Sequence, residues 1–491
     1  MKKQNFLKAS LILMVSAAFT KILGAMFKIP LTNVLGGVGM SYFSCAYSLF
    51  LPIYALVVTG LSAAVARLTA QSVALELYDN AKKIRRTALK IFTLTGLLGS
   101  FAIALPAQLF ASNVAKTPDA WLAVTLIAPS VIFGCITSVE RGYHEGMSNM
   151  YPTALSQLVE GLVKLFAGIY LCTLVTNNPD WVMRHFPTLS IKAVAAAAGV
   201  LGVTLGSAAA ALYFPIIRIF TKKNSVKGDL TLIKTKDITR ELLIIAIPIG
   251  LSSVVTNLTA LIDMGTLINC IEKYNGTYIL PGNVYLTELP QFVYGSFAGI
   301  ALTVFNLVPS VTNMLGKGIL PSVTSAWERK DRKALEENSS QALITAAVLA
   351  TPAAIGLGFL AEPILTLLFR NQPHEVVICV TALRWLMPGM VCLCISFPVF
   401  SMLQAIGKAS VPLKIMLIGA AVKLGGNLYL IPKMGVDGSA ISTSLCYAFI
   451  LAASLRSYIK YTGINVKLSP FLKISHAAAI GIMIVFLLRN C

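Results

Sequence analysis

The sequence predicts an all-α polytopic membrane protein with two parallel six-helix lobes around a central cavity and at least one extra C-terminal helix. Three observations support this class: an apolar composition, apolar runs long enough to cross a bilayer, and an internal repeat. Hydrophobic residues make up 56% of the 491 residues and charged residues only 12%, with a mean hydropathy of +0.77. Soluble domains carry about 25% charged residues, so this chain requires lipid as part of its solvent.

Thirteen apolar segments have roughly the 20-residue length that a helix needs to cross a hydrocarbon core. Polar and apolar residues do not alternate within them, so helices fit better than the strands of a barrel. The amino-terminal segment resembles a signal peptide but lacks a convincing cleavage site, and we interpret it as the first span. The expected spans are 7–28, 41–66, 87–112, 119–141, 151–176, 193–217, 241–264, 289–313, 340–363, 376–402, 409–432, 437–457 and 471–488.

Lysine and arginine are distributed unequally between the two sides of the expected membrane. With the amino terminus inside, the cytoplasmic segments hold 28 of the 40 basic residues and the external segments hold 7. This bias predicts a cytoplasmic amino terminus and, with thirteen spans, an external carboxyl terminus. The same excess of basic residues in cytoplasmic loops accounts for the net charge of +20. We therefore expect the basic loops to contact anionic membrane lipids rather than nucleic acid.

The two halves of the chain repeat each other at an offset of 259 residues. Pro129 matches Pro388, and Lys164 matches Lys423, each lysine lying between a valine and a leucine. Because the offset relates spans 3–5 to spans 9–11, both lobes start inside, as in transporters built from parallel repeats. We expect an N-lobe at 1–220, a basic cytoplasmic linker at 221–240, a C-lobe at 241–460 and an additional transmembrane helix at 461–491.

Ionisable residues inside the expected spans are mostly cations. A charge at the bilayer centre costs about 2.5–3.5 kcal/mol on the most lenient scale, so each one needs a reason. A cavity with more positive than negative fixed charge is expected to bind an anion, and snorkelling to the membrane surface is the alternative for Lys28 and Arg384. The candidate substrate-binding cations are Lys21, Lys28, Lys164, Arg384 and Lys423. Lys21 and Lys28 are seven residues apart and therefore share one helix face.

Two acids, Glu160 and Asp263, are also expected inside the spans. Glu160 lies one turn before Lys164, in the order that favours a helix ion pair, so a structural pair is an alternative to a binding site. Lys423 has Gly419 at the same spacing and no local counter-ion, so we expect it to face water or an anion in the cavity. Asp263 is a candidate for balancing a lysine or for binding a coupling cation.

These charges also rank the classes of function. A drug antiporter needs an acid that exchanges a proton or Na⁺ for a cationic drug, and the excess of intramembrane cations favours an anionic ligand instead. A membrane glycosyltransferase is less favoured, because the external acids are scattered singly and no nucleotide loop or zinc motif occurs. We expect a monomeric non-enzyme without metal or cofactor, driven by Na⁺, H⁺ or the membrane potential.

Three stretches of sequence carry a resemblance to a known family. They are the segment 140–160, which begins ERGYHEG, the opening motif Thr20-Lys21-Ile22-Leu23-Gly24, and the junction LQAIGK at 403–408. They resemble the stage V sporulation protein B-like polysaccharide exporters. These exporters are related to lipid II flippases within the multidrug/oligosaccharidyl-lipid/polysaccharide exporter superfamily.

The resemblance implies a flippase of the bacterial cell membrane. It would move an undecaprenyl-diphosphate-linked glycan to the outer leaflet by alternating access, for peptidoglycan, polysaccharide or spore formation, and Lys21 and Lys28 would meet the diphosphate. Two features depart from the family. The cavity charges that lipid II flippases carry in helices 2 and 8 are absent from 41–66 and 291–313, and thirteen spans are found here where relatives commonly have fourteen.

Overall fold

A computed structural model describes residues 6–220, 233–274, 276–279, 281–282 and 284–464. These residues form helices joined by short connections, with no strand among them. A helix satisfies its backbone N–H and C=O groups within one segment, which is what hydrocarbon surroundings require. The expected all-α class is confirmed.

The chain divides into two compact units. Among the described residues, the first unit covers positions up to Leu35 and Gly39–Leu261, and the second covers Gly36–Val38 and positions from Ile262 onward. The division falls inside helix α9, whereas the linker expected at 221–240 lies mostly outside the described residues. The helices up to this division are α1 Phe6–Ala74, α2 Tyr78–Ala104, α3 Ala107–Leu109, α4 Trp121–Ile127, α5 Ser130–Gly146, α6 Tyr151–Asn177, α7 Pro179–His185, α8 Ile191–Phe220 and α9 Thr235–Cys270.

The second unit continues from the end of α9. A π-helical turn at Phe297–Ala301 separates its first two helices. The helices are α10 Leu289–Ser296, α11 Leu302–Phe305, α12 Leu307–Glu328, α13 Arg332–Phe359, α14 Ala361–Leu368, α15 Pro373–Ala405, α16 Ser410–Met434 and α17 Val436–Thr462.

The first two expected spans lie within α1, which is interrupted at Gly36. Gly36 has φ 66° and ψ −175°, so the helix breaks there. A side chain would be strained at this φ, which explains glycine. In the second unit, the next amide, that of Gly37, donates a hydrogen bond of 3.0 Å to the buried carboxylate of Glu375.

The first twelve expected spans each coincide with one or more described helices, and the thirteenth, 471–488, lies outside the described residues. Within the described chain, nine helical stretches are long and apolar enough to cross a membrane, or ten if a bent pair counts as one span. The stretch Ala18–Ala74 is counted once although it contains half of the first expected span and all of the second. The bent pair turns by 46° between Leu286–Phe305 and Leu307–Asn313, so the eighth expected span is a broken helix.

Each unit has its own packing. In the first unit, α6 and α8 approach so closely that a methyl group on Gly202 would collide with the backbone of Gly168. In the second unit, Tyr458 of α17 is fully buried in an apolar cluster with Leu343 and Val399. Its hydroxyl forms a 2.8 Å hydrogen bond with the Ser339 hydroxyl of α13, which satisfies the polar end of a buried ring.

Candidate functional site

Two lysines of the first unit lie near one another on different helices. Lys28 is on the first part of α1 and Lys164 is in the middle of α6, both half-buried, and their positive charges repel each other. Like charges in a poorly solvated place destabilise one another, and a bound anion relieves that repulsion. The structure therefore brings together two of the five predicted cations.

The ammonium group of Lys164 lies on aromatic rings of α1. Its Nζ is 5.0 Å from the ring centroid of Phe27 and 5.7 Å from that of Tyr47. Such contacts are worth about 0.5–2 kcal/mol, because the ring face is electrostatically negative. The rings continue along α1 through Phe43, Phe50 and Tyr54, with neighbouring centroids 4.8 to 6.0 Å apart. A ring face stabilises the ammonium without bringing a formal negative charge to it.

The acid one turn before Lys164 binds a different cation. Glu160 accepts a 2.8 Å hydrogen bond from Arg141 Nη2, and Arg141 Nε donates to Ser156 at 2.8 Å. The alternative that Glu160 forms an ion pair with Lys164 within one helix is therefore wrong. The arginine of α5 reaches across to α6 and takes the carboxylate, and its planar fork serves two acceptors at once.

Lys423 of the second unit has a very different environment. It is 2% exposed, and its Nζ donates a 2.6 Å hydrogen bond to Oδ2 of Asp263, also 2% exposed. Oδ1 of Asp263 accepts from Asn427 Nδ2 at 3.2 Å and from Ser439 Oγ at 3.3 Å. The expectation that Lys423 lacks a counter-ion and faces water is wrong: its counter-ion comes from α9, 160 residues earlier. Asp263 balances a lysine, one of the two roles considered for it.

Arg384 lies on α15 and is exposed. Its Nε donates a 3.3 Å hydrogen bond to the carbonyl of Gly358 at the end of α13. Together these helices line a largely apolar cavity of about 500 Å³ in the second unit, with Phe359, Met387 and Val391 among its walls. Arg384 is thus separate from the pair formed by Lys423 and Asp263.

The chain also matches a known family of membrane proteins. A family model described as polysaccharide biosynthesis protein matches residues 6–327, well over half of the chain. The chain belongs to this family. A second model, MatE, matches residues 296–428.

Relatives extend the match over almost the whole chain. Stage V sporulation protein B of Bacillus subtilis (strain 168) is 26% identical over 481 residues, which are 95% of this chain and 86% of the relative. Lipid II flippase MurJ of the same organism is 22% identical over 484 residues, 94% of this chain and 84% of the relative. The solved structure "Lipid II flippase MurJ, inward closed conformation" has a TM-score of 0.68 and 16% identity, covering 97% of this chain and 92% of that one. The predicted family resemblance is confirmed, and the protein is a multi-pass membrane protein of the transporter type.

The remaining predicted cation, Lys21, lies two turns before Lys28 on α1. Its side chain is exposed, whereas that of Lys28 is half-buried. Seven residues correspond to about 10.5 Å along a helix, so Lys21 lies on the same face as Lys28 at a different depth. Its expected role toward a ligand stays a prediction.

One buried charged group was not predicted from the sequence. Glu140 of α5 is 3% exposed and accepts two hydrogen bonds from Arg85 of α2, at 2.8 and 2.7 Å, and one from Arg218 of α8 at 3.0 Å. The signal was present: Glu140 is the second-to-last residue of the fourth expected span, where an acid is costly. Its bonds tie three helices of the first unit together.

Proposed function

We propose that this protein is a flippase that moves an undecaprenyl-diphosphate-linked saccharide from the cytoplasmic to the outer leaflet of the bacterial cell membrane by alternating access. The observation that carries the proposal is the Lys164 ammonium, which lies on the rings of Phe27 and Tyr47 and is repelled by the nearby positive charge of Lys28. A diphosphate brings the negative charge that this positively charged place attracts. The two curated relatives, one of them named a lipid II flippase, support the same substrate class.

The chemistry of the site suits a ligand that must be bound and then released. An ammonium held by ring faces is a point charge with free hydrogen-bond donors, which can meet several phosphate oxygens in turn. A lysine already bound to a carboxylate would have to exchange one anion for another. Lys21, exposed and farther along the same face of α1, extends the positive path for the diphosphate.

The driving force that we propose is the membrane potential. A headgroup that carries negative charge outward moves toward the positive side of the membrane. Each elementary charge moved through 100 mV contributes about 2.3 kcal/mol. The basic residues on the expected cytoplasmic side support the orientation with the amino terminus inside.

A cation-coupled multidrug antiporter is the second candidate, favoured by the match of the MatE model to residues 296–428. Such a carrier needs a buried acid free to exchange a cation. In the described chain, Glu140, Glu160 and Asp263 each bind an arginine or lysine, whereas the buried Glu375 accepts a hydrogen bond from the Gly37 amide. The pairing of the first three acids favours the anionic substrate.

The decisive experiment is an accessibility assay in vesicles that contain only this protein. A labelled diphosphate-linked saccharide precursor is placed in one leaflet, and its appearance in the other leaflet is followed with an enzyme or reagent confined outside. We expect the protein to flip the precursor, and we expect a potential that is positive on the receiving side to accelerate flipping. The variant Lys28→Met should slow flipping about tenfold or more, since a hydrogen bond to a charged group is worth about 1.5–3 kcal/mol. The matched control is Lys236→Met, because Lys236 is an exposed lysine at the start of α9. This variant should flip the precursor at the wild-type rate.

Two outcomes would contradict the proposal. One is the absence of flipping in vesicles whose protein is folded. The other is export of a cationic drug in exchange for Na⁺ or protons, which would establish the second candidate instead.

A further inference from the structure

The cavity lined by α13 and α15 in the second unit carries one cation on its apolar wall. Its volume of about 500 Å³ falls within the range of about 300–1,000 Å³ that small-molecule sites have. Of the described residues that line it, Arg384 is the only charged one, and Ile355, Phe359 and Met387 are among the others. A ligand that matches this cavity combines an apolar body with an anionic group beside Arg384.

The guanidinium of Arg384 is held at one nitrogen. Its Nε donates to the carbonyl of Gly358 at 3.3 Å, one of the last carbonyls of α13, which have no partner within their own helix. In the part of the chain that the structure describes, Arg384 makes no ion pair and no other hydrogen bond. A guanidinium has five N–H donors, so the other four are not used by the described residues.

The depth of Arg384 makes an anionic partner favourable. The residue lies eight positions inside the expected span 376–402, about 12 Å along the helix from its expected external end. An arginine without a counter-ion inside a membrane costs free energy, and a negative charge that reaches the guanidinium lowers this cost. The phosphate of a lipid supplies that charge in the planar geometry that a guanidinium binds best. Its hydrocarbon chains match the apolar walls.

The internal repeat gives the first unit a cavity between the equivalent helices, α2 and α5. Its volume is about 560 Å³, and Ile132 lines it as Val391 lines the cavity of the second unit, 259 residues later. Of its described wall residues only Lys90 is charged, close to the expected cytoplasmic end of the span 87–112. Each unit thus has an apolar cavity with one cation, near opposite expected sides of the membrane. A cation near one side only suits a lipid that stays in one leaflet.

We propose that the cavity lined by α13 and α15 binds one anionic phospholipid of the outer leaflet. Its phosphate meets the guanidinium of Arg384, and a hydrocarbon chain lies along Phe359 and Met387. This lipid is a bound component of the second unit and is distinct from the saccharide lipid that the proposed flippase moves.

The test captures the lipid at the cavity itself. The photoreactive residue p-benzoylphenylalanine replaces Phe359, which is exposed at the cavity wall, in the full chain. The protein is placed in vesicles of equal amounts of phosphatidylglycerol and phosphatidylcholine with the same acyl chains, and mass spectrometry identifies the lipid attached after illumination. Phosphatidylglycerol should be captured about fivefold more often, the preference that one basic residue gives to an anionic lipid.

Arg384→Gln should lower this capture ratio to about one, because the charge that selects phosphatidylglycerol is gone. Arg384→Lys keeps the charge and should keep most of the preference. The matched control is Arg184→Gln, since Arg184 is an exposed arginine of α7 on the same expected side of the membrane. It should leave the ratio unchanged. The same photoreactive residue at Leu349, exposed on α13 outside the cavity wall, reports bulk lipid and should give a ratio of about one.

Three outcomes would overturn the proposal. The first is equal capture of the two lipids by the protein with arginine at position 384, and the second is a preference that Arg384→Gln leaves unchanged. The third is displacement of phosphatidylglycerol by an equal amount of a polyprenyl phosphate, which would assign the cavity to the tail of the transported lipid. If Arg384→Gln does not accumulate, Arg384→Met takes its place. The vesicles contain no saccharide lipid, so the result is independent of flipping and of the proposed function.

Discussion

Lys164 and Lys423 occupy equivalent positions of the internal repeat, 259 residues apart and each between a valine and a leucine, yet the fold treats them in opposite ways. Lys164 is half-buried against the rings of Phe27 and Tyr47. Lys423 is buried and bonded to Asp263. In the described structure, the first unit thus places ring faces beside its lysine, and the second unit places a carboxylate beside the equivalent lysine. Duplication of a membrane lobe does not imply duplication of its binding chemistry.

The difference arises from which partner reaches each carboxylate. In the first unit the nearby acid, Glu160, is taken by Arg141 from α5, so Lys164 is left with the aromatic faces. In the second unit Gly419 stands where an acid would be one turn away, and the carboxylate comes from another helix. Substitutions of Asp263, Lys164 and Arg141 test this difference between the two lysines.

The largest expected effect follows from removing Asp263. Asp263→Leu leaves the buried Lys423 ammonium without its counter-ion and should lower the free energy of unfolding by about 3–5 kcal/mol. The double variant Asp263→Leu with Lys423→Met removes both charges and should recover most of that loss, because an apolar replacement of a buried pair is often neutral. Reversible unfolding in mixed micelles gives both values. Equal stability of the single and the double variant would show that Lys423 is not held by this pair.

A smaller effect is expected on flipping from Lys164→Met. The variant loses one charge-assisted contact to the diphosphate, worth about 1.5–3 kcal/mol, so the flipping rate should fall about 10- to 100-fold. Its free energy of unfolding should change by only about 0.5–2 kcal/mol, which the cation–π contacts contribute. The matched control is Lys433→Met, since Lys433 Nζ also lies on a ring, 3.7 Å from the centroid of Tyr429, where both residues are exposed. An unchanged flipping rate for Lys164→Met in the vesicle assay would remove Lys164 from the site.

The smallest effect should come from making Lys164 resemble Lys423. Arg141→Met releases Glu160, which lies at the favourable spacing from Lys164, and the new helix pair should lower the flipping rate about twofold. Adding Glu160→Gln to Arg141→Met should restore the rate. A rate that stays low in this double variant would mean that Arg141 itself acts on the substrate or shapes the unit.

Much of the architecture follows from the sequence alone. A composition with so few charges requires lipid, the apolar runs locate twelve spans that coincide with described helices, and the offset of 259 residues relates the two lysines. These properties depend only on the linear order of residues, and hydrophobicity acts on each segment separately. The family resemblance likewise rests on short contiguous motifs.

Only the tertiary structure decided how the intramembrane charges are used. The pairing of Lys423 with Asp263, the capture of Glu160 by Arg141 and the bonds from Arg85 and Arg218 to Glu140 each join different helices. An ion pair depends on distance in space, and a buried charge takes whichever partner the packing of helices places within reach. Sequence spacing shows the partners within one helix but not those that other helices bring.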